Sequence, residues 1–275
     1  MFHQLSTPQN EPHHSNTKLD LYNQQLGVVE KAIWQRKELQ TLNLAANGLS
    51  EISEQLGNLT QLQMLDLGHN RLSAIPETIG NLLDLRFLYL SNNQLTTLPD
   101  SLQTLQQLLY FNCTDNQLIE LPAWFGKLQS LVEVRLYNNQ LRGLPESIGN
   151  LSQLREFHLM HNQLTTLPGN IGGLRTLHKL DLQGNRISTL PNTVGDLAAL
   201  RELNLRDNQL ALLPESIGIL SNLRHLDLRA NRLTALPNSL IKLKSLEKLD
   251  LRWNRFTILP HWLPQLERQG CIIYT

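Results

Sequence analysis

Asparagine recurs every 23 residues along most of this chain, and that spacing constrains the fold more than any other feature. The copies stand at residues 47, 70, 93, 116, 139, 162, 185, 208, 231 and 254, with no insertion or deletion between them. A fixed period of this length is typical of arrays in which each copy packs only on its neighbours. The chain is therefore predicted to form one elongated solenoid.

The other fixed positions of the unit describe a short strand followed by a return segment. With Leu62 as position 1, positions 1 and 21 are leucine in all ten copies, and position 4 is Leu, Phe or Val. Position 6 is leucine except at Cys113. Positions 4 and 6 differ by two, so both side chains project from the same face of a strand. Aliphatic residues at positions 11, 14, 18 and 21 then return to that interior, and each buried side chain contributes about 1.5–3 kcal/mol.

Three residue types are predicted to shape the bends between strands. Proline stands at position 15 in nine copies, where it fixes an extended or turn conformation. Glycine stands at position 19 in seven copies, and we interpret it as relieving the backbone where the chain bends back. The asparagine amide offers two donors and an acceptor, so stacked copies can satisfy turn amides that would otherwise be buried unpaired.

The pattern LxxLxLxxNxLxxLPxxIGxLxxL, which extends from Leu39 to Leu266, resembles the leucine-rich repeat family. Return segments such as LPESIGNLSQL resemble the Ras-group subclass, which includes scribble-like, plant intracellular and bacterial proteins. The resemblance implies an α/β solenoid shaped as a right-handed horseshoe. It further implies a parallel β-sheet on the concave face, 3-10 or irregular segments on the convex face, and protein binding through the concave face.

The repeat register divides the chain into four predicted segments. Residues 1–17 are predicted to be a disordered N-terminal tail, and residues 18–38 a degenerate capping repeat with helical spacing at Val29, Ile33 and Trp34. Residues 39–268 hold the ten repeats, and residues 269–275 are predicted to form a C-terminal capping strand. A step of 23 residues from the last copy places Ile272 and Tyr274 at the buried positions 4 and 6.

Composition narrows the environment and the kinds of partner. The formal net charge is +0, which gives no support for binding to nucleic acid or to an acidic membrane surface. No apolar stretch reaches the length of about 20 residues that a membrane span requires. The two cysteines, Cys113 and Cys271, stand far apart, and no secretory leader is evident. We therefore expect a cytoplasmic and monomeric protein that needs no cofactor.

The positions that the core does not use should carry function. Positions 3, 5 and 7 project from the concave face by strand alternation, and positions 8 and 10 flank its rim. Aromatic residues, methionine and arginine cluster there in the middle copies, which is the composition of an interaction hot spot. We call this set the central patch, and it comprises Met64, Phe87, Tyr89, Tyr110, Arg135, Tyr137, His158, Met160 and His161.

The segment LREFHLMHNQL, at residues 154–164, raises a separate question about metal binding. His158 and His161 lie close together, but a zinc site requires three or four ligands. Glu133 or Glu156 could supply another ligand, although nothing in the sequence shows that these side chains converge. No metal site is predicted.

A second candidate surface lies in the last copies. We call it the arginine patch, and it comprises Arg206, Arg229, Arg252 and Trp253. Position 5 carries Asp181, Asp227 and Asp250, with Asn204 between, and this arrangement leaves two interpretations open. The charges form a self-neutralising ladder, with each pair contributing about 0–1 kcal/mol, or the arginines and Trp253 contact an acidic partner.

No catalytic motif of a nucleotide-binding, metallopeptidase, hydrolase or kinase type is present. The sequence therefore predicts a non-catalytic scaffold that binds a protein partner through its concave face. Intracellular signalling, through regulation of a small GTPase or a kinase, is one expectation. The alternatives are a receptor for a peptide or small ligand, and an enzyme whose site carries no recognised motif.

Overall fold

The computed structural model describes residues 17–275, so the predicted N-terminal tail lies outside the described residues except for Thr17. These residues form one parallel sheet of twelve strands, in which every strand pairs with the next one along the chain. The strands are β1 Lys18–Asp20, β2 Thr41–Asn43, β3 Met64–Asp66, β4 Phe87–Tyr89, β5 Tyr110–Asn112, β6 Glu133–Arg135, β7 Glu156–His158, β8 Lys179–Asp181, β9 Glu202–Asn204, β10 His225–Asp227, β11 Lys248–Asp250 and β12 Ile272–Tyr274.

Short 3-10 turns return the chain between strands. In chain order they are η1 Ile33–Gln35, η2 Glu54–Asn58, η3 Glu77–Asn81, η4 Asp100–Thr104, η5 Ala123–Lys127, η6 Glu146–Asn150, η7 Gly169–Gly173, η8 Asn192–Asp196, η9 Glu215–Ile219 and η10 Asn238–Lys242. One α-helix, α1 at Leu263–Arg268, stands before β12. The predicted alternation of parallel strands with 3-10 segments is confirmed.

Strand alternation separates the core from the outer face of the sheet. In β3, Leu65 is fully buried, whereas Met64 and Asp66 on either side of it are half-buried. Leu65 pairs in register with Leu88 of β4, one repeat later. Because the register advances by one repeat at every step, the apolar side chains of equivalent positions stack into a continuous core.

The repeated asparagine holds the bend that follows each strand. Asn139 is buried, and its Nδ2 donates to the carbonyl oxygens of Cys113 at 2.9 Å and Leu136 at 3.1 Å. Its Oδ1 accepts a hydrogen bond from the backbone N–H of Leu118 at 2.9 Å. One side chain therefore joins two successive copies and satisfies buried backbone groups, as the sequence predicts.

The glycine at position 19 is needed for close packing of the turns, not for the predicted relief of a backbone bend. Gly126 and Gly149 do not adopt a positive φ, so relief of a bend is the wrong explanation. A Cβ at Gly126 would lie 2.0 Å from the carbonyl oxygen of Ser147, and one at Gly149 would lie 2.2 Å from that of Asn170. Adjacent 3-10 turns therefore approach so closely that their backbones meet at this position, and only glycine fits.

In two of the three copies that lack this glycine, a tryptophan stands in the following copy. Gln103 replaces the glycine in η4, and Trp124 replaces the usual small residue in η5. The indole of Trp124 is buried, and its Nε1 donates to Asp100 Oδ1 at 2.7 Å. Ile241 and Trp262 repeat the arrangement near the other end of the array. We infer that each indole fills the space that the missing glycine contact leaves between two turns.

The residues before the first full repeat cover its apolar edge. Trp34 in η1 is fully buried, and Val29 is buried beside the same core. The helical spacing in this segment corresponds to the three-residue turn η1. Thr17, which the sequence assigns to the tail, accepts hydrogen bonds on its carbonyl oxygen from the backbone N–H groups of Gln40 and Thr41 at 2.7 and 3.0 Å.

The predicted register of the last strand is wrong by one residue. Ile272 pairs with Lys248 and Tyr274 pairs with Asp250, so both side chains occupy outward-facing positions. Ile273 packs against the core in their place. The final return segment contains the α-helix α1 where the other copies have a 3-10 turn, and the spacing from Lys248 to Ile272 grows to 24 residues.

Candidate interaction surface on the concave face

The sheet places the central patch on one face of several adjacent strands. Met64, Phe87 and Tyr110 begin strands β3, β4 and β5, and they pair in register. Tyr89, Arg135 and His158 end strands β4, β6 and β7, so they lie one row further along the same face. Tyr137 and Met160 follow the strand ends, and His161 occupies the bend with a φ of 53°.

Two tyrosines and an arginine of this patch contact one another. The rings of Tyr89 and Tyr110 lie with their centroids 4.9 Å apart and their planes tilted by 39°. The guanidinium carbon of Arg135 lies 5.7 Å from the centre of the Tyr110 ring, in range of a cation–π interaction. Arg135 Nε also donates to Glu133 Oε1 at 2.5 Å. These contacts hold the aromatic surface in one arrangement before any partner arrives.

Both phenol groups stay neutral at ordinary pH. Burial raises the pKa of Tyr89, and the nearby carboxylates of Asp66 and Glu133 raise that pKa further. Burial also raises the pKa of Tyr110, although the positive charge of Arg135 acts in the opposite direction. Each hydroxyl can therefore donate a hydrogen bond to a partner while its ring supplies apolar contact area.

His158 is not the free surface residue that the sequence predicts. Its relative exposure is 9%, and one edge of its ring faces the carboxylates of both Glu133 and Glu156. The Nε2 atom lies 3.0 Å from Glu156 Oε2 and 4.0 Å from Glu133 Oε1. His158 is therefore engaged with two acids on the face where it was expected to meet a partner directly.

The remaining members of the central patch differ in exposure. Phe87 is exposed, while Met64, Tyr137 and Met160 are half-buried. His161 is exposed at the rim, and a Cβ at Gly184 would lie 2.5 Å from its Nδ1 atom. Its ring therefore packs against the bend of the next copy and not against His158.

The arginine patch is built around one buried carboxylate. Asp250 is fully buried, and its carboxylate accepts from Arg252 Nε at 2.9 Å and Nη2 at 2.6 Å. Arg229 Nε lies 3.4 Å from the same carboxylate and also binds Asp227. Burial on its own raises the pKa of Asp250, but the hydrogen bonds from Arg252 and the charge of Arg229 bring it below its ordinary value. Neighbouring aspartates therefore neutralise Arg229 and Arg252, in agreement with the first of the two interpretations.

Trp253 nevertheless offers a large exposed aromatic surface beside these charges. Its relative exposure is 65%, and the guanidinium carbons of Arg252 and Arg206 lie 5.6 and 6.0 Å from its ring centre. Arg252 also lies 5.0 Å from the ring centre of Tyr274. Sequence reasoning missed Tyr274, because the one-residue error in the register of β12 assigned it to the core.

A groove that no sequence signal identified crosses β8 to β11, beside the arginine patch. Its volume is about 340 Å³. Its polar lining side chains come from four adjacent strands and are Lys179, Asp181, Glu202, Asn204, His225, Asp227, Lys248 and Asp250. Because these residues are of mixed charge and follow no motif, only their placement on neighbouring strands reveals the groove.

The described residues offer little support for cysteine chemistry. Burial raises the pKa of the Cys113 thiol far above its ordinary value. Burial and the charge of Glu267 raise the pKa of Cys271 to about 11. Neither thiol forms appreciable thiolate at neutral pH, and the thiolate is the nucleophilic form.

Within residues 17–275, every helix is too short or too polar to cross a lipid bilayer.

Comparison with family models gives matches along most of the array. A model described as leucine-rich repeat region matches residues 77–163. A model described as leucine rich repeat matches residues 17–72, 166–210 and 212–266. No curated protein sequence matches the chain significantly.

Solved structures with the same fold include a bacterial protein and two receptors. A leucine-rich repeat protein of Leptospira interrogans, LIC12759, is 25% identical over 94% of this chain and 95% of its own, with a TM-score of 0.50. A TDR receptor is 30% identical over 87% of this chain, with a TM-score of 0.78. The plant peptide hormone receptor RGFR1, solved in complex with RGF2, is 29% identical over 82% of this chain, with a TM-score of 0.74. The chain spans 43% and 38% of these two receptor chains.

Proposed function

The chain belongs to the leucine-rich repeat family, and we propose that it is a non-catalytic scaffold whose central patch binds a protein partner. Proteins with this fold commonly serve as interaction modules, and solved relatives include a receptor in complex with its ligand. A stable protein interface needs about 800 Å² from each partner, and a sheet of many strands provides a surface of that extent.

The observation that carries this proposal is the ordered group of Tyr89, Tyr110 and Arg135. Tyrosine and arginine are among the residue types that dominate binding energy when a partner covers them. Their mutual contacts fix the side chains before binding, which lowers the entropy lost on association. Phe87, which is exposed and pairs in register with Tyr110, extends the apolar surface along β4.

The test is a double variant that removes aromatic area and leaves the scaffold in place. Tyr110→Ala combined with Tyr137→Ala changes no leucine or asparagine of the core. We expect partner affinity to weaken by at least about 2 kcal/mol, a hot-spot effect that corresponds to roughly a thirtyfold rise in Kd. The partner would be captured from the native source with the unaltered chain, identified by mass spectrometry, purified, and titrated by calorimetry.

Tyr22→Ala is the matched control, because Tyr22 is exposed and lies outside both patches. This variant should bind the partner as tightly as the unaltered chain does. If the double variant also binds with unchanged affinity, the central patch is not the interface. Loss of binding in Trp253→Ala, with the double variant unaffected, would then assign the interface to the arginine patch.

The groove favours a second candidate function, a receptor for an extended peptide. One row of its lining mixes basic and acidic side chains and the other is acidic apart from Asn204, so a peptide of mixed charge could lie across the four strands. RGFR1, a peptide hormone receptor, has the same fold. The variants Asp181→Ala and Lys248→Ala would lower the affinity for such a peptide and leave the affinity for a partner at the central patch unchanged.

We also propose a monomeric, cytoplasmic protein in intracellular signalling, with a small GTPase or kinase as the regulated partner. Both cysteines are free in the described fold, which agrees with a reducing compartment. The resemblance of the return segments to the Ras-group subclass supports a signalling role. Fractionation of the native cells, with detection of the chain in the cytosol or elsewhere, tests the location directly.

A further inference from the structure

Three possible metal ligands converge at the centre of the sheet. Glu133 begins β6, Glu156 begins β7 opposite it, and His158 lies two residues later on the same face. One carboxylate oxygen from each glutamate and one ring nitrogen lie within 4.8 Å of one another. The sequence shows Glu133 and Glu156 as possible ligands, but only the register of β6 and β7 brings them to a common point.

The distances suit a small transition-metal ion. Zinc binds histidine nitrogen at about 2.0–2.1 Å and carboxylate oxygen at about 2.0–2.2 Å in tetrahedral geometry, which separates two ligand atoms by roughly 3.3–3.5 Å. His158 Nε2 lies 3.0 Å from the oxygen of Glu156 and 4.0 Å from that of Glu133. The two values lie on either side of the required separation, so small side-chain rotations would complete the geometry.

A second histidine shows what an ordinary surface ion pair looks like in this protein. His225 also has two glutamates nearby, but Glu202 approaches Nδ1 at 3.8 Å and Glu247 approaches Nε2 at 3.5 Å. One metal ion cannot occupy both sides of that ring. At His158 both acids approach the same nitrogen, although its one proton can be donated fully to only one of them. The side chain of His158 is also much less exposed, at 11% against 48% for His225.

Arg135 compensates for the concentration of negative charge around His158. Its Nε donates to Glu133 Oε1 at 2.5 Å, which is the oxygen closest to His158. A divalent cation bound to that same oxygen would supply the neutralisation in place of Arg135. Arg135 and the ion therefore compete for Glu133, and that competition gives the site a signature that an ion pair alone would lack.

We propose that Glu133, Glu156 and His158 form a site for a divalent transition-metal ion such as Zn²⁺. One nitrogen and two oxygen ligands suit zinc, whereas Ca²⁺ prefers six to eight oxygens. Three protein ligands leave a fourth position open, and the site lies on the concave face, where water or an acidic or histidine side chain of a partner would complete it. The ion would lie beside Arg135 and Tyr110, within the central patch.

The experiment uses the full chain, freed of metal with a chelator, in a background with His3, His13 and His14 replaced by alanine. Those three histidines lie outside the described residues and could bind zinc on their own. Zn²⁺ is titrated by calorimetry, and Co²⁺ is titrated by its visible absorption. We expect one saturable site, which Glu156→Gln and His158→Gln each weaken by at least about tenfold.

Two further variants make the result specific. His225→Ala should leave the metal affinity unchanged, because its glutamates do not converge on one nitrogen. Arg135→Gln should raise the affinity several-fold, because the competing cation is gone. Absence of saturable binding overturns the proposal, and so does binding that survives both ligand variants with unchanged affinity.

No partner protein takes part in these titrations, so their outcome is independent of the proposed binding function. A chain that binds zinc at this site but no protein at the central patch would support the metal site alone. The opposite outcome is a chain that shows no saturable metal site and binds its partner with the same affinity in zinc and in chelator. That result would support the scaffold proposal and overturn the metal site.

Discussion

At the scale of single residues, the asparagine of each copy solves a local problem of hydrogen bonding. The bend after each strand leaves carbonyl groups that no strand can pair, and these groups are buried between two copies. Asn162 binds the carbonyl oxygens of Leu136 and Leu159 and accepts from the N–H of Leu141, at 3.0–3.1 Å. No apolar side chain of similar size offers both donor and acceptor at this place.

Asn139→Ala should therefore destabilise the whole array. The variant leaves buried groups of Cys113, Leu136 and Leu118 unpaired, and each such group costs about 1–3 kcal/mol. We expect the free energy of unfolding, measured by urea denaturation, to fall by at least that amount. Gln140→Ala is the control, because Gln140 is exposed in the adjacent position and should change stability by less than about 0.5 kcal/mol. Equal urea midpoints for the two variants would refute the stabilising role of the repeated asparagine.

At the scale of elements, the 3-10 turns decide how closely successive copies pack. Glycine at position 19 lets one turn rest on the backbone of the next, as at Gly126 and Gly149. Gln103 prevents that approach, and Trp124 in the following turn is buried at the same interface. Two solutions to one packing problem therefore coexist in the array, and each depends on a pair of residues in neighbouring copies.

Gly126→Ala tests the close approach of the turns. Its new methyl group would overlap the carbonyl of Ser147, and overpacking of this kind typically costs about 1–3 kcal/mol. Gly143→Ala is a matched control in the next copy, because a Cβ there meets no atom within 4 Å. Its stability should remain within about 1 kcal/mol of the unaltered chain. Thermal and chemical denaturation of both variants would reveal the difference, and equal destabilisation would exclude the explanation.

At the scale of the whole molecule, an open solenoid must protect the apolar surface at the edge of its first full copy. Trp34 and Val29 cover that edge beside Leu42 and Leu44, which are fully buried. Because each copy interacts mainly with its neighbours, exposure of this edge should destabilise the array progressively from that side.

Two truncations separate the cap from the residues before it. Removal of residues 1–38 takes away Trp34 and should lower the free energy of unfolding by more than about 3 kcal/mol, the usual cost of losing one buried tryptophan. Removal of residues 1–16 keeps Thr17 and β1, and we expect stability to stay unchanged. Calorimetric melting and solubility measure both effects. The cap would be disproved if both truncations melted at the same temperature.

The sequence by itself determined the period, the interior positions and the alternation that selects one face of each strand. These follow from local rules, because strand alternation, proline geometry and the need to pair buried amides act within a single copy. They identified Tyr89, Tyr110 and Arg135 as neighbours on one face. They also implied the asparagine ladder, because a period of 23 residues repeats the same unpaired groups in every copy.

Only the tertiary structure decided what depends on contacts between copies. The packing of one turn on the next explains why glycine is required at Gly126 and why Trp124 follows Gln103. The length of the last return segment likewise decides that Tyr274 faces outward. Glu133 and His158 are separated by 25 residues and meet because β6 and β7 pair in register. A repeat pattern specifies which side chains face outward, but the distances among them arise from side-chain packing across strands, which no single copy encodes.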